Sequence, residues 1–253
     1  MLVLDFDGVV ADALLECAAV TWYAARLDRG ANAPRLPDAA NEIPSDFIDI
    51  FRQVRAYSRT LDDFMVANAL DDQATIVDRA TFQTVREAMP ATQRADQAAI
   101  AEEVRGTWRD TQYDLWIGLH RVHAEVARLI LNTEHEIAIL SAKDEASIRA
   151  ILRHHGLERR VSRYVGSCHD KFAVLGQWLE MDPVARRENL IFVDDSIENV
   201  ADAARLPLEI VWAGWGYHGV EDRHFAQDHG IPMRSLTDID GARFRYPQLK
   251  TCV

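Results

Sequence analysis

Two aspartates, Asp5 and Asp7, stand one residue apart at the end of the first apolar run and are followed directly by Gly8. Residues 2–4 predict a short buried strand, and side chains two apart on an extended backbone point to the same side. Both carboxylates would face one spot, where two like charges need a cation or a shared proton. Glycine permits a sharp turn there, and ligands of parallel α/β sheets bind beyond the carboxyl ends of strands. The placement favours covalent carboxylate chemistry; taken alone, the motif also fits a solvated turn.

A similar arrangement follows the apolar run 190–193, which ends in Asp194, Asp195 and Ser196. Adjacent carboxylates at the edge of a parallel sheet are natural ligands of Mg²⁺, a hard cation that prefers oxygen donors. Capping of the next helix by Asp195 or Ser196 is the alternative, and it is compatible with metal binding.

Two other polar residues occupy positions suited to holding an anion. Ser141 directly follows the predicted strand 136–140 and lies just before a predicted helix, where a hydroxyl and free backbone amides can bind an anion such as phosphate. Lys171 lies in the first turn of a predicted helix, where the helix dipole disfavours a cation unless an anion lies nearby. The chain has only three lysines, and Lys143 is the competing candidate. Each of these residues, taken singly, also fits an ordinary turn or a solvated surface.

The elements that must position these residues follow from the apolar periodicity. Beyond residue 118, helices alternate with strands, which implies a parallel sheet with helices on its faces. The predicted helices span 119–131, 145–154, 170–180 and 197–204, and the predicted strands span 136–140, 161–165, 190–193 and 208–213. The strand at the start of the chain must join that sheet, because a single strand is not stable alone. The expected fold class is α/β with a doubly wound parallel sheet; apart from the strand at 208–213, residues 206–253 are too irregular to divide.

The stretch 13–118 shows helical periodicity and no convincing strand. Its breakers are Pro34, Pro37, Pro44 and Pro90. We therefore expect an all-helical domain at 13–118, inserted into an α/β core formed by residues 1–12 and 119–253.

Composition narrows the class of partner. The chain has 253 residues, with 40 Asp and Glu against 28 Lys and Arg, so a footprint on nucleic-acid phosphates is disfavoured. The cysteines Cys17, Cys168 and Cys252 have no metal-ligand spacing, which favours free thiols in a reducing compartment. No apolar run approaches membrane-spanning length, and the first strand leaves no room for a signal peptide. We expect a cytoplasmic protein that binds neither nucleic acid nor membrane; the sequence sets no oligomeric state.

Taken together, the motifs resemble, in their order, the four motifs of the haloacid dehalogenase-like hydrolase superfamily. The matching segments are Asp5 to Asp12, Ser141 after its strand, Lys171, and Val193 to Ser196. The resemblance covers about residues 1–12 and 119–213, and the helical stretch is similar to the inserted cap of this superfamily in position and helicity only. The loop 215–219 also resembles a segment of phosphoglycolate-phosphatase-like members.

The resemblance implies a role for each motif residue. Asp5 would attack phosphorus and form an aspartyl-phosphate, while Asp7 would act first as acid and then as base. Ser141 and Lys171 would hold the transferring phosphoryl oxygens. The implied Mg²⁺ ligands are the carboxylate of Asp5, the main-chain carbonyl of Asp7, and Asp194 and Asp195. The implied activity is Mg²⁺-dependent hydrolysis of a small phosphate monoester by a phosphoric monoester hydrolase.

Other branches of the superfamily fit less well. The dehalogenase branch typically lacks an acid at the position of Asp7, and the phosphonate-cleaving branch needs a cap lysine, whereas residues 13–118 contain none. The alternatives that stay open are a phosphomutase and a catalytically silent metabolite-binding protein. The core motifs alone do not exclude the former, and the intact acidic and lysine motifs argue against the latter.

Substrate choice would lie in the helical stretch. Arg52, Arg55 and Arg59 follow helical i, i+3, i+7 spacing and could face an anionic substrate, although nearby acidic residues favour a solvated face. Tyr23 lies on the first predicted helix of this stretch, where a residue could overhang the site. Arg52, Arg55 and Tyr23 are therefore the candidate specificity residues, and the sequence does not identify the substrate.

Overall fold

The computed structural model describes residues 1–36, 38, 42–70, 75–76, 78–181 and 190–239. Its strands are β1 (Leu2–Leu4), β2 (Ala11–Asp12), β3 (Arg121–Val122), β4 (Ile137–Leu140), β5 (Val161–Val165), β6 (Ile191–Asp194), β7 (Glu209–Ala213) and β8 (Met233–Arg234). Within the described residues, six of them form one sheet in the order β5-β4-β1-β6-β7-β8, and every pairing in it is parallel. The first strand lies inside the sheet, so it is covered by neighbours on both edges.

Between β2 and β3 the described residues form helices and no strand. The α-helices are α1 (Leu14–Ala24), α2 (Ser45–Arg55), α3 (Leu61–Phe64), α4 (Arg79–Ala88), α5 (Ala91–Thr111) and α6 (Tyr113–Ile117). We call these helices and their connections the helical insertion. The short strands β2 and β3 pair antiparallel at its base, so the chain leaves and rejoins the core at adjacent points. The domain limits at residues 13 and 118 stay a prediction.

Helices cover both faces of the sheet. The remaining described α-helices are α7 (Ala124–Asn132), α8 (Glu145–His154), α9 (Lys171–Met181), α10 (Ile197–Ala203) and α11 (Val220–Asp228). Leu2 and Leu4 join a buried apolar cluster with residues of α7 and α8, and Val3 joins another with residues of α9 and α10. Successive residues of β1 thus pack against helices on opposite faces of the sheet, which confirms the predicted doubly wound α/β architecture. A strand buried on both faces is apolar at every position, as β1 is.

The largest difference between the sequence-based elements and the structure is at the start of one helix, and the other predicted core elements differ by one residue at most at each end. The helix predicted at 119–131 begins only at Ala124, because Arg121 and Val122 pair with β2. Local periodicity does not reveal such a pairing, which is a tertiary contact. Cys17 and Cys168 are buried free thiols, whereas Cys252, Pro37 and the end of the predicted core at 240–253 lie outside the described residues. Of the helices that the structure describes, none combines the length and the apolar character needed to span a bilayer.

Candidate active site

The predicted polar residues meet at the carboxyl edge of the sheet. Asp5 follows β1, Ser141 follows β4 and Asp194 ends β6, and these three strands are neighbours. The carboxylates of Asp5, Asp194 and Asp195 offer oxygens that all lie within 4.8 Å of one another, and all three residues are buried. Residues separated by almost 200 positions in the sequence therefore form one acidic cluster.

Gly8 allows this cluster to form. Its φ angle is +94°, in the left-handed region that glycine adopts without strain, and a Cβ at this position would collide with Asp195 Oδ2. The predicted turn after Asp7 is therefore also the place where the backbone comes closest to the second pair of aspartates.

Lys171 is the counterion of the acidic cluster. Its Nζ lies 3.0 Å from Asp5 Oδ1 and 2.7 Å from Asp194 Oδ2, and its side chain is buried. Burial raises the pKa of Asp5, an effect that Lys171 opposes, and burial likewise raises the pKa of Asp195 to about 8, which Arg55 opposes. Lys171 and Arg55 together carry two positive charges against three buried carboxylates, so the cluster is short of positive charge.

The donor set fits a hard divalent cation. Three carboxylates with converging oxygens are the ligands that Mg²⁺ prefers, and the unfavourable ionisation of Asp195 is what a bound cation would relieve. The main-chain oxygen of Asp7, the fourth implied ligand, accepts a hydrogen bond from Arg55 Nη2 at 3.3 Å. The three carboxylates that would hold Mg²⁺ thus converge on one point, and the Asp7 main-chain oxygen as a fourth ligand stays a prediction.

Lys143 forms an ion pair with Asp7, the other aspartate of the first motif. Its Nζ lies 3.2 Å from Asp7 Oδ2 and 3.1 Å from Glu16 Oε2. The two lysines that the sequence offered as competitors are therefore both buried in the site, with Lys171 against Asp5 and Lys143 against Asp7.

Ser141 lies between these two groups. Its hydroxyl oxygen accepts a hydrogen bond from the backbone amide of Lys143 at 3.3 Å, and hydrogen bonding from Ser141 works against the raised pKa of Asp5. The structure thus brings the four predicted motifs together.

The helical insertion covers a cavity above this edge, with about 530 Å³ of empty space that is partly open to solvent. Core residues in its lining include Asp5, Asp7, Ser141, Lys143, Asp195, Asn199 and Tyr217, and insertion residues include Arg55, Arg59, Phe64 and Arg105. The cavity is polar at its base, and the part of it that water-sized molecules can enter has a volume of about 40 Å³.

Of the three candidate specificity residues, the structure places one in the cavity wall and two outside it. Arg55 is buried in the cavity wall, where its guanidinium lies 4.3 Å from the centre of the Tyr217 ring and its Nε has no hydrogen-bond partner among the described residues. Arg52 instead pairs with Asp49 on the exposed face of α2. The hydroxyl of Tyr23 donates to Glu42 at 2.6 Å. Neither Arg52 nor Tyr23 lines the cavity, so the structure brings only Arg55 to the site.

Several residues of the site were not assigned a role from the sequence. Glu16 is a charged residue among the mostly apolar buried residues of α1, and that mismatch was the available signal. Asn199 lies one turn after Ser196 and donates to both Asp194 oxygens, at 3.3 and 3.1 Å. Tyr217, in the flagged loop 215–219, donates its backbone amide to Asp195 Oδ2 at 2.7 Å. Arg105 of α5 also lines the cavity, and no pattern in the sequence around it indicated this position.

Comparison with known proteins supports the fold. The sequence matches no family model and no curated protein. The structure resembles a predicted phosphoglycolate phosphatase from Haemophilus somnus, with 15% identity, 94% of this chain and 95% of that chain covered, and a TM-score of 0.59. It also resembles a haloacid dehalogenase-like family hydrolase from Streptococcus pneumoniae, with 15% identity, 92% of each chain covered and a TM-score of 0.56.

A third similar structure carries a different kind of name. It is the protein tyrosine kinase A of Mycobacterium tuberculosis, with 20% identity, 87% of this chain and 86% of that chain covered, and a TM-score of 0.52. At these identities the likeness establishes the fold, which is that of the haloacid dehalogenase-like hydrolases over nearly the whole chain, as the motifs predicted.

Proposed function

We propose that this protein is a Mg²⁺-dependent phosphatase that hydrolyses a small phosphate monoester through an aspartyl-phosphate on Asp5. The observation that carries the proposal is the position of Asp5, which lies 3.0 Å from the ammonium of Lys171 and within the acidic cluster at the floor of the cavity. The fold supports it, because similar structures carry the names of a predicted phosphoglycolate phosphatase and a haloacid dehalogenase-like family hydrolase.

Each residue at the floor has a role in this proposal. A carboxylate oxygen of Asp5 forms a bond to phosphorus as the leaving-group oxygen departs. Ser141 and Lys171 hold the phosphoryl oxygens, and Asp7 gives a proton to the leaving oxygen and later takes one from water. When bound by the acidic cluster and the Asp7 main-chain oxygen, Mg²⁺ supplies charge that offsets the repulsion between a carboxylate nucleophile and a phosphate.

The helical insertion acts as the cap in this proposal. It excludes bulk water from the floor of the cavity and limits the size of the substrate. Arg55 is the cap residue that contacts the substrate, because it lines the cavity and its buried Nε has no partner in the part of the chain that the structure describes. A cap of this kind disfavours phosphorylated proteins and long nucleic acids as substrates.

The test is phosphate release from a panel of sugar, nucleotide and small-acid monophosphates with Mg²⁺, comparing wild type with Asp5→Asn. The matched control is Asp28→Asn, the same chemical change at an exposed turn residue. We expect Asp5→Asn to lower turnover by at least about 10³-fold, since the nucleophile is lost, and the control to match wild type.

Other outcomes point to the other classes. Transfer of phosphate without net release, stimulated by a bisphosphate, would indicate a phosphomutase. Tight binding of a phosphorylated metabolite with no turnover by wild type in Mg²⁺ would indicate a silent binding protein, because the fold alone does not determine activity.

A further inference from the structure

Lys143 has no part in the mechanism proposed above, yet it is completely buried against Asp7. Its Nζ lies 3.2 Å from Asp7 Oδ2 and 3.1 Å from Glu16 Oε2, and the side chains of both Lys143 and Glu16 are 0% exposed. Glu16 belongs to α1 of the helical insertion, whereas Lys143 follows β4 of the core. Lys143 therefore joins the insertion to the carboxylate that would carry the proton.

Glu16 is in turn held by Arg105 of α5. Arg105 Nε lies 2.7 Å from Glu16 Oε1, and Arg105 Nη2 donates to Glu16 Oε2 at 3.2 Å. The charges thus alternate in sign along Asp7, Lys143, Glu16 and Arg105. A buried ion set is a weak source of stability, because well-packed apolar groups of the same volume are often as stable or more so. What this chain of contacts does supply is fixed geometry, since Lys143 and Glu16 are each held from two sides.

The two oxygens of the Asp7 carboxylate are treated differently. Oδ2 accepts from Lys143, whereas Oδ1 is buried and has no hydrogen-bond partner among the described residues. We propose that Lys143, itself oriented by Glu16, is a positioning residue that holds Asp7 by Oδ2 and leaves Oδ1 free to exchange a proton with the leaving group and then with water. The inference rests on the proposed phosphatase function.

In the proposed mechanism, Asp7 Oδ1 carries the proton in both half-reactions, while Oδ2 stays bound to Lys143. In the first half-reaction the bond from phosphorus to the leaving oxygen breaks, the bond from Asp5 to phosphorus forms, and the proton on Asp7 Oδ1 passes to the leaving oxygen. In the second, the oxygen of water bonds to phosphorus, the bond to Asp5 breaks, and a proton of water returns to Asp7 Oδ1. Lys143 touches none of these atoms, so its removal takes away alignment rather than the proton carrier.

A pair of substrates separates this role from a purely structural one. The leaving group of p-nitrophenyl phosphate departs without a proton, whereas an alkyl monophosphate needs one. The test variant is Lys143→Met. Asp7→Asn is the reference for loss of the proton carrier, and Ser141→Ala is the control for loss of a phosphate-binding group. The first equivalent of product and the later turnovers are timed by rapid mixing, with p-nitrophenyl phosphate and with the alkyl monophosphate that wild type turns over fastest in the panel.

For Lys143→Met we expect a burst with the aryl substrate. The first equivalent of p-nitrophenolate per enzyme is released within about threefold of the wild-type rate, and later turnovers are about 100-fold slower, because water must still be deprotonated. With the alkyl substrate the first equivalent itself is about 100-fold slower. Asp7→Asn should show the same pattern, and Ser141→Ala should slow the first equivalent of both substrates alike.

Other results overturn the inference. If Lys143→Met slows the first equivalent equally for both substrates, or changes KM alone, Lys143 is a structural or substrate-binding residue. Glu16→Gln keeps the side-chain shape and removes one charge, and we expect it to slow the same steps selectively, by about 10-fold. If circular dichroism shows that Lys143→Met does not fold, Glu16→Gln is the deciding variant. Absence of the selective slowing in Glu16→Gln would then reject the positioning role. If wild type releases phosphate from neither substrate, the proposed function itself fails.

Discussion

Arg59 of the helical insertion donates two hydrogen bonds to the side-chain oxygen of Asn199 in the core, from Nε at 3.0 Å and from Nη2 at 2.7 Å. Because the amide oxygen is occupied in this way, the amide nitrogen of Asn199 faces Asp194, to which it donates at 3.1 and 3.3 Å. A residue of the insertion therefore orients a carboxylate of the acidic cluster, although it does not touch that carboxylate.

This arrangement predicts that Arg59→Gln weakens Mg²⁺ binding. Residues that orient a metal ligand typically contribute 10-fold to 100-fold in metal affinity, so we expect about a 10-fold higher Kd. Arg79→Gln is the matched control, since Arg79 also joins the insertion to the core, at 2.8 Å from both Glu198 and Asp222. Calorimetric titration with Mg²⁺ in the absence of substrate measures both. Equal weakening in the two variants would attribute the effect to general loss of contacts between the insertion and the core.

The arginines of α2 make a second matched pair. We expect Arg55→Met to raise KM about 10-fold to 100-fold for the best substrate of the panel, because it removes a buried charged donor from the cavity wall. Arg52→Met removes the same group from the exposed face of the same helix, and its KM should stay within about twofold of wild type. Steady-state kinetics decide; a similar rise in both variants would mean that substrate contacts extend beyond the cavity.

Removal of Lys171 should cost more stability without metal than with it. Lys171→Met leaves Asp5 and Asp194 as buried like charges, and breaking a buried pair in this way typically costs about 3–5 kcal/mol in the free energy of unfolding. Bound Mg²⁺ neutralises the same carboxylates, so the loss should shrink when Mg²⁺ is saturating. Urea unfolding in EDTA and in Mg²⁺ measures the difference, and an equal loss in both would argue against a shared role for the lysine and the metal.

The raised pKa of Asp195 predicts a pH-dependent response to metal. Burial raises this pKa to about 8 in the folded protein, whereas an unfolded aspartate titrates near 3.9. Between those values the folded protein holds a proton that the unfolded chain has lost, so the stability contributed by Asp195 is full below about pH 4 and is lost as the pH rises through about 8. Mg²⁺ must displace that proton at low pH and not at high pH.

We therefore expect Mg²⁺ to raise the Tm more at about pH 9 than at about pH 6. Asp195→Asn has no carboxyl group to titrate at this position, and its response to Mg²⁺ should be smaller and depend less on pH than that of wild type; the raised pKa of Asp5 remains in the variant. Differential scanning calorimetry with Mg²⁺ and with EDTA at both pH values gives the comparison. A wild-type response that does not change with pH would contradict the burial of an ionisable Asp195 at the metal site.

Strands β1, β4, β5, β6 and β7 of the core followed from periodicity, because alternation of apolar runs is a local property. Helix α8 and strand β5, for example, have the predicted limits. Strand β3 was missed because two residues carry no periodic signal, and only the pairing of Arg121 with Asp12 across more than a hundred residues makes them a strand. The elements beyond residue 213 were missed because short segments in an irregular sequence have no clear pattern.

Local pattern was sufficient for the α/β class and for the motif residues, since a strand and the turn that follows it are encoded in adjacent positions. It could not assign Lys143 to Asp7 and Lys171 to Asp5, nor turn Arg55 inward and Arg52 outward on one helix. Those outcomes depend on which helix faces pack against the carboxyl edge of the sheet, and packing joins residues that are remote in the chain. Long-range packing therefore selected the partners of each charged group in this site.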